Sequence, residues 1–291
     1  STIADNIGAT QSTGYEFSLN TVNLTGPFKW NTTLNISSYN DRWKERNPDV
    51  VLAPYEKEDA PIRAIYGCVS DGILQIGETP PASMPDLLPG QMKVKDLNGF
   101  DPNDGSKLLG HPDGKIDAAD RIYLGSTDPK VIIGFGNMFK YKNFDLSILI
   151  TGQTGGHIYG VLGRAMDRPG MGANINVLAH WKNMWKSEAE PGDGKTPGID
   201  NANTGQFYDS RWLYSTDFIK LKNVTLGYRI PFKKKFIQNA RVYLTGENLL
   251  MWDKYEGGFS PEANNGGSTG DYDYGSYPQA RVITLGVNVT F

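Results

Sequence analysis

The sequence predicts an all-β fold, an antiparallel transmembrane β-barrel wall, on three observations. Stretches of alternating apolar and polar residues recur from one end of the chain to the other, and alternation is the period of a strand with two different faces. Several of these stretches run ten residues or more, whereas strands of soluble proteins run about five or six. Short turns alternate with long polar loops, the pattern of a barrel whose two rims are built differently.

The elements follow in order. "YEFSLNTVNL" (15–24), a Gly-Pro turn and "FKWNTTLNISSYNDRW" (28–43) read as a hairpin. "IRAIYGCVSDGILQIG" (62–77) reads as an extended segment broken at Asp71-Gly72. Residues 130–156 predict two long strands joined by a tight turn at Lys142-Asn143. In "DFIKLKNVTLGYRIP" (217–231) Ile219 and Leu221 lie in one phase, and Val224, Leu226, Tyr228 and Ile230 in the other. Either a bulge flips the register there, or the first half projects beyond the apolar belt. "ARVYLTGENLLMW" (240–252) and "RVITLGVNVTF" (281–291) complete a set of about eight strands. In the last, Ile283, Leu285, Val287, Val289 and Phe291 share one face, and Val282, Thr284, Gly286, Asn288 and Thr290 the other. Three loops separate the strands: a Pro-rich one (75–91), one that starts as a short helix and becomes turn-rich (180–212), and a Gly-, Asp- and Tyr-rich one (256–280). No internal repeat or linker divides residues 1–291, which read as one unit.

Composition narrows the function. With 29 Lys and Arg against 32 Asp and Glu, the net charge of −3 lacks the basic excess of a nucleic-acid binder, so no nucleic-acid partner is expected. The single cysteine, Cys68, allows no internal disulfide and reads as an apolar packing residue. No apolar run approaches the roughly 18 residues of a membrane helix, and the mean hydropathy is −0.44. Neither observation argues against a barrel, whose strands hide their apolar faces by alternation. The first residues show neither an initiator Met nor a signal peptide, so the chain reads as mature, cleaved or truncated at its front.

The Asp-rich stretch "KVKDLNGFDPNDGSKLLGHPDGKIDAADR" is the sharpest local signal. Asp113, Gly114, Lys115, Asp117 and Asp120 match positions five, six, seven, nine and twelve of a calcium loop, with the Lys115 carbonyl as one ligand. Asp96 and Asn98 supply positions one and three, separated from the rest by an excursion over 100–112. Asp101, Asn103 and Asp104 offer a competing set, and a solvated turn without metal is the plain alternative. A hard cation held by protein oxygens alone would be Ca²⁺ before Mg²⁺, in a structural role.

Catalytic patterns are thin. His111, His157 and His180 fall in different loops, and no HExxH, GxSxG or P-loop occurs. "GFGNMFK" (134–140) lies inside a strand, and Glu188 with Glu190 reads as loop charge. No catalytic residue is assigned and no organic cofactor is expected. Tyr and Trp at strand ends suit a membrane interface. Tyr272, Tyr274 and Tyr277 in the last long loop are the candidates for contact with a substrate or partner.

Taken together, "VKDLNG…PDGKIDAADRIYLGSTDPKVIIGFGNMFKYKNFDLSILITGQTGGHIYG", "YGCVSDGILQ", "SRWLYSTDFIKLKNVTLGYRIP", "RVYLTGENLLMWDKYEGGFSPE" and "YPQARVITLGVNVTF" resemble the SusC/RagA family of TonB-dependent outer-membrane transporters. The segments stand in the family's order and cover most of the chain. The 100–112 excursion departs from the family's compact Asp-rich turn. The resemblance implies a bacterial outer-membrane location and a plugged barrel of roughly 22 strands, of which this chain is the C-terminal half. It makes Phe291 the terminal aromatic that the assembly machinery reads. It implies partners as well: the N-terminal remainder with its plug, TonB contacted through that remainder, a SusD-like surface lipoprotein and the lipid bilayer. Its substrates are oligosaccharides or peptides, imported unchanged, so the chain is expected not to be an enzyme. The alternative from another class is a self-contained secreted β-rich binding module with a structural calcium. A glycan hydrolase is a third reading that no acid pair supports.

Overall fold

The computed structural model describes residues 8–166, 176–198, 208–231, 237–262 and 272–291. Two long strands open it, β1 (Ala9–Thr25) and β2 (Phe28–Glu45). Six short strands follow: β3 (Ala64–Gly67), β4 (Ser70–Ile73), β5 (Met92–Val94), β6 (Phe100–Asp101), β7 (Asp104–Leu108) and β8 (Ile122–Ser126). Long strands β9 (Val131–Tyr141) and β10 (Phe144–Thr154) lead to β11 (His157–Gly160), the helix α1 (Val161–Met166) and β12 (Leu213–Ser215). Then come β13 (Phe218–Ile230), β14 (Asn239–Asp253), β15 (Tyr272–Asp273) and β16 (Val282–Thr290).

The long strands form one seven-stranded sheet in the order β1-β2-β9-β10-β13-β14-β16, antiparallel throughout. Each long strand therefore lies beside the next long strand in sequence, the up-and-down order of a barrel wall. All three connections at one end are short: Gly26-Pro27, Lys142-Asn143 and residues 231–238. Lys142 adopts φ 51°, the left-handed conformation a two-residue hairpin turn requires. The three connections at the other end are long, spanning 46–130, 155–217 and 254–281.

The expected strand over 62–77 is corrected. β2 pairs directly with β9, and 62–77 breaks into β3 and β4, which pair locally with β8 and β5. The break falls at Cys68-Val69, where Cys68 bridges to Asp209, and Asp71-Gly72 lies inside β4 as an irregularity of its pairing, with Gly72 at φ 75°. The rim also contains α1, a helix the alternating pattern did not predict.

The phase change in β13 is a bulge. Leu221 pairs with Ile150 and Leu250, Asn223 pairs with Leu149 and Glu247, and Lys222 is the extra residue between them. Ile219 and Leu221 thereby join Val224, Leu226, Tyr228 and Ile230 on one face. Across the sheet that face continues as Leu34 and Ile36, Ile133 and Phe135, Leu146 and Ile148, Leu244, and Ile283, Leu285 and Val287. The last three are 70%, 73% and 60% exposed, so no second layer covers them among the described residues. A sandwich would bury this face. The buried apolar side chains, among them Ile73, Leu74, Met92, Val94, Ile158, Tyr159 and Trp212, lie mainly in the long connections.

Candidate functional site

The wall is the first part of the site because its two faces meet different media. On the apolar face, rings gather at the short-turn end: Phe28 and Trp30 lie 6.0 and 5.8 Å from Phe139, and Phe144 lies 4.7 Å from Tyr228. Tyr15 and Trp252 stand on the same face toward the opposite end. Two aromatic bands flanking an aliphatic one are what a barrel presents to a bilayer and its interfaces. One polar row interrupts the aliphatic band, and it satisfies itself. Asn137 Oδ1 accepts from Trp30 Nε1 at 2.9 Å and from Thr32 Oγ1 at 2.8 Å, and Asn23 donates to Thr32 at 2.7 Å.

The opposite face is hydrophilic. Ser18 donates to Asn35 and Thr33 to Asn20, both at 2.8 Å, and Thr225 meets Thr245 at 2.9 Å. Arg241 grips Asp145 through Nε at 3.0 Å and Nη2 at 2.5 Å. Gly227 lies between them on β13, where a Cβ would collide with the guanidinium. Its missing side chain lets Arg241 cross a whole strand to reach the carboxylate.

The rim at the long-connection end is the second part. β11 pairs with β12 and β15, and Tyr159 is buried among Tyr208, Trp212 and Tyr272 at centroid distances of 5.1, 6.5 and 5.9 Å. Burial pushes the Tyr159 hydroxyl far up from its ordinary pKa, so it stays a neutral phenol. Asp273 is fully buried and accepts from the Tyr255 hydroxyl, from Gly275 N–H at 2.8 Å and from Ser276 N–H at 3.3 Å. Lys220 of the wall, 2% exposed, donates to Glu262 and Gln279 at 2.5 Å each and ties the last long connection to the sheet. A cavity of about 560 Å³ opens beside this rim, with Tyr39, Asp41, Tyr123 and His157 in its wall. Asp41 Oδ1 and His157 Nδ1 are buried there without a hydrogen-bond partner. Burial lowers the His157 pKa, so its ring is neutral and offers one donor and one acceptor.

The sequence-predicted residues divide. Tyr272 is half-buried in β15 with its ring edge-on to Tyr159, a packing role, whereas Tyr274 and Tyr277 are 59% and 96% exposed. Residues 263–271 of that loop lie outside the described residues. In the Asp-rich turn the excursion is the β6–β7 hairpin, and its ends lie close, with Leu109 N–H donating to Gly99 O at 2.8 Å. The acidic side chains face backbone amides. Asp96 accepts from Asp113 and Gly114 N–H at 3.3 and 2.9 Å, and Asn98 from Gly110 N–H at 2.7 Å. Asp113 accepts from Lys115 N–H at 3.0 Å and Asp117 from Ala119 N–H at 2.7 Å. Asp120, fully buried, accepts from Leu97, Asn98 and Asp117 N–H at 2.7, 3.2 and 2.8 Å. Among the described residues no three His, Cys, Asp or Glu side chains converge on a point where a cation could sit. As placed, the set is a staple rather than a cage. Phe291 follows β16 at its short-turn end and is 79% exposed.

No family model matches the chain. Individual relatives do. TonB-dependent receptor P26 of Formosa agariphila is 33% identical over 98% of this chain and 30% of its own length. TonB-dependent receptor P3 of the same organism is 31% identical over 98% and 29%. The chain belongs with the TonB-dependent receptors. SusC of Bacteroides thetaiotaomicron, 23% identical over 99% of the chain and 27% of its own length, falls in the same group. The RagAB peptide importer in its open-open state superposes with a TM-score of 0.74 at 19% identity, covering 98% of this chain and 29% of that one. That likeness shows the fold, part of a β-barrel wall. The chain spans about 30% of the length of the curated relatives it matches.

Proposed function

We propose that this wall serves a TonB-dependent importer that carries oligomeric nutrients, oligosaccharides or peptides, across the outer membrane. The observation that carries the reading is the two-faced sheet, apolar and uncovered on one side, hydrogen-bonded and charged on the other. Such a sheet is stable only with lipid against the first face and water or protein against the second. The edge strands β1 and β16 have no outer neighbour among the described residues. A bilayer does not tolerate open edges, so further strands of the whole protein complete the wall.

The rim carries the second half of the proposal. A SusD-like surface lipoprotein caps the long connections, and Tyr274 and Tyr277 meet it or the substrate. The orphaned Asp41 and His157 atoms in the rim cavity suit a solute that both donates and accepts hydrogen bonds, as oligosaccharides and peptides do. The relatives solved as RagAB are peptide importers, which makes peptides the first substrates to test. A calcium ion in the Asp-rich turn is proposed on donor type alone. It would require the carboxylates and the Lys115 carbonyl to turn from their present arrangement toward the ion. Calorimetric titration with Ca²⁺ against an Asp113→Ala, Asp117→Ala control tests it.

The function is tested in the native bacterium. Uptake of labelled oligopeptides and oligosaccharides is compared between wild type and a strain lacking the gene, with pull-down of surface lipoproteins alongside. Loss of uptake of one class supports the reading. Unchanged uptake of both, with no lipoprotein recovered, would overturn it.

A further inference from the structure

Beyond Ser37 the sheet divides. β2 stops pairing with β9 there, and the rim cavity of about 560 Å³ occupies the notch between the upper part of β2 and the chain from β8 to the start of β9. Alternate residues of a strand share a face, so Tyr39 and Asp41 continue the hydrophilic row Thr33, Asn35 and Ser37. The notch therefore belongs to the hydrophilic side of the wall. Its volume falls within the range of small-ligand sites, about 300–1,000 Å³. Asp41 Oδ1 and His157 Nδ1 are buried in it without a partner, and folded proteins rarely leave such atoms unpaired unless a ligand or an ordered water meets them. The imidazole comes close over Gly125 of β8, where a Cβ would stand 3.0 Å from Nδ1. Charge is balanced. Arg42 lies 3.7 Å from Asp59 and Asp128 lies 3.7 Å from Arg63, which leaves Asp41 and Lys130, one of each sign. Two phenol rings complete the lining: Tyr39, half-buried, and Tyr123, 48% exposed and held edge-on to Tyr66 at 6.0 Å.

We propose that this notch is a subsite for one ring of a neutral oligosaccharide. The inference rests on the importer reading and narrows its two substrate classes to one. Neighbouring hydroxyls of a sugar ring each donate and accept. One ring can therefore meet a carboxylate oxygen and an imidazole nitrogen together, whichever tautomer the imidazole holds. The C–H face of the same ring is apolar and fits against a phenol ring, as Tyr123 offers. Balanced charge selects a neutral solute, because a charge taken from water into a half-enclosed site without a counter-charge is costly. A peptide offers its own backbone to a free strand edge. That edge of β2 is already taken here, with Trp43 N–H donating to Ala60 O at 3.2 Å and Ile62 N–H to Asp41 O at 3.1 Å.

The test uses outer membranes of the native organism, with every polypeptide of the assembly in place. Three sets of probes carry a photoreactive diazirine: neutral gluco-, manno-, galacto- and xylo-oligosaccharides, oligogalacturonates, and short mixed peptides. After irradiation, mass spectrometry of the digest locates the label. The expected result is labelling of the segments that hold Tyr39 and Tyr123 by a neutral oligosaccharide. Asp41→Ala and His157→Phe should each raise its half-saturating concentration about ten- to a hundredfold. Asp41 Oδ1 and His157 Nδ1 bond nothing in the fold, so both variants should assemble, which heat-modifiable gel mobility verifies. The wild-type labelling decides the matter even if a variant does not assemble. Labelling there by peptides and not by sugars would overturn the proposal, and so would a preference for oligogalacturonates or half-saturation unchanged in both variants. No label at the notch from any probe would overturn it as well, the two atoms then meeting water alone. Uptake of the same probes is measured in parallel. Import of a sugar that never labels the notch fails this inference alone, whereas import of neither class fails the importer reading.

Discussion

Val287 and Thr284 lie on one strand three residues apart, and the register sends their side chains to different media. Val287 pairs with Val242 on the apolar face, Thr284 with Thr245 on the hydrophilic one. An Arg near the bilayer midplane costs roughly 2–4 kcal/mol, whereas one in the hydrated interior costs little. Val287→Arg should therefore lower folding yield in a lipid-vesicle assembly assay, and Thr284→Arg should not. Equal yields would sink the assignment of faces. Asn288 is the poorer control, because it sits opposite Arg241 and an Arg there would face a like charge. Cys68 allows a pH test. Burial raises its thiol pKa to about 11 from an ordinary 9.0, against a weaker pull downward from Arg121. The folded thiol stays protonated where the unfolded one ionises, so its contribution to stability is full below about 9 and is lost as pH rises through about 11. At pH 8 a maleimide should label Cys68 slowly in the folded protein and readily in urea. Equal rates would show that the thiol is not packed as described.

At the scale of the element, the bulge at Lys222 keeps one strand in phase with its neighbours. Deleting Lys222 would turn either Ile219 and Leu221 inward or the rest of β13 out of register, with Lys220 carried to the lipid side. Assembly should fail, while deleting a residue of the 46–51 loop should be tolerated, as heat-modifiable mobility on gels would show. Pulse-labelled protein that still inserts without Lys222 would mean the phase change has another cause. The Asp-rich turn is a second such device. Asp120→Ala strips three partly buried N–H groups of their acceptor, at no more than about 1–3 kcal/mol for each group left unpaired. Amide exchange at Leu97, Asn98 and Asp117 should rise together while the wall amides stay protected. The long strands were legible in the sequence because the medium on each side imposes a period of two that nothing local obscures. The segment 62–77 does not join the wall because its two halves pair separately inside the loop assembly, β3 with β8 and β4 with β5, and they part at Cys68-Val69. Residue type marked the turn as rich in acceptor oxygens, and only the fold shows which backbone donors those oxygens face. The rim cavity was not anticipated at all. Asp41, Tyr123 and His157 come from three strands, β2, β8 and β11, and only the fold brings them together; no spacing in the sequence links them.

At the scale of the whole molecule, the seven strands form a continuous surface whose organisation depends on what lies against each side. The rim is where the described residues are most buried, with Trp212, Asp209 and Asp273 wholly enclosed, so the described parts of the long connections are packed structures. The wall strands differ greatly in length: β1 and β2 have 17 and 18 residues, β9 and β10 have 11, and β16 has 9. At about 3.4 Å per residue and a tilt of about 40°, β1 rises roughly 44 Å and β16 roughly 23 Å, against an apolar band about 25 Å tall. β2 stops pairing with β9 at Ser37, and its remaining length stands clear with Pro61 bridged against Arg42. Along this part of the wall the rim at the long-connection end therefore steps down, standing high at β1 and β2 and low at β16.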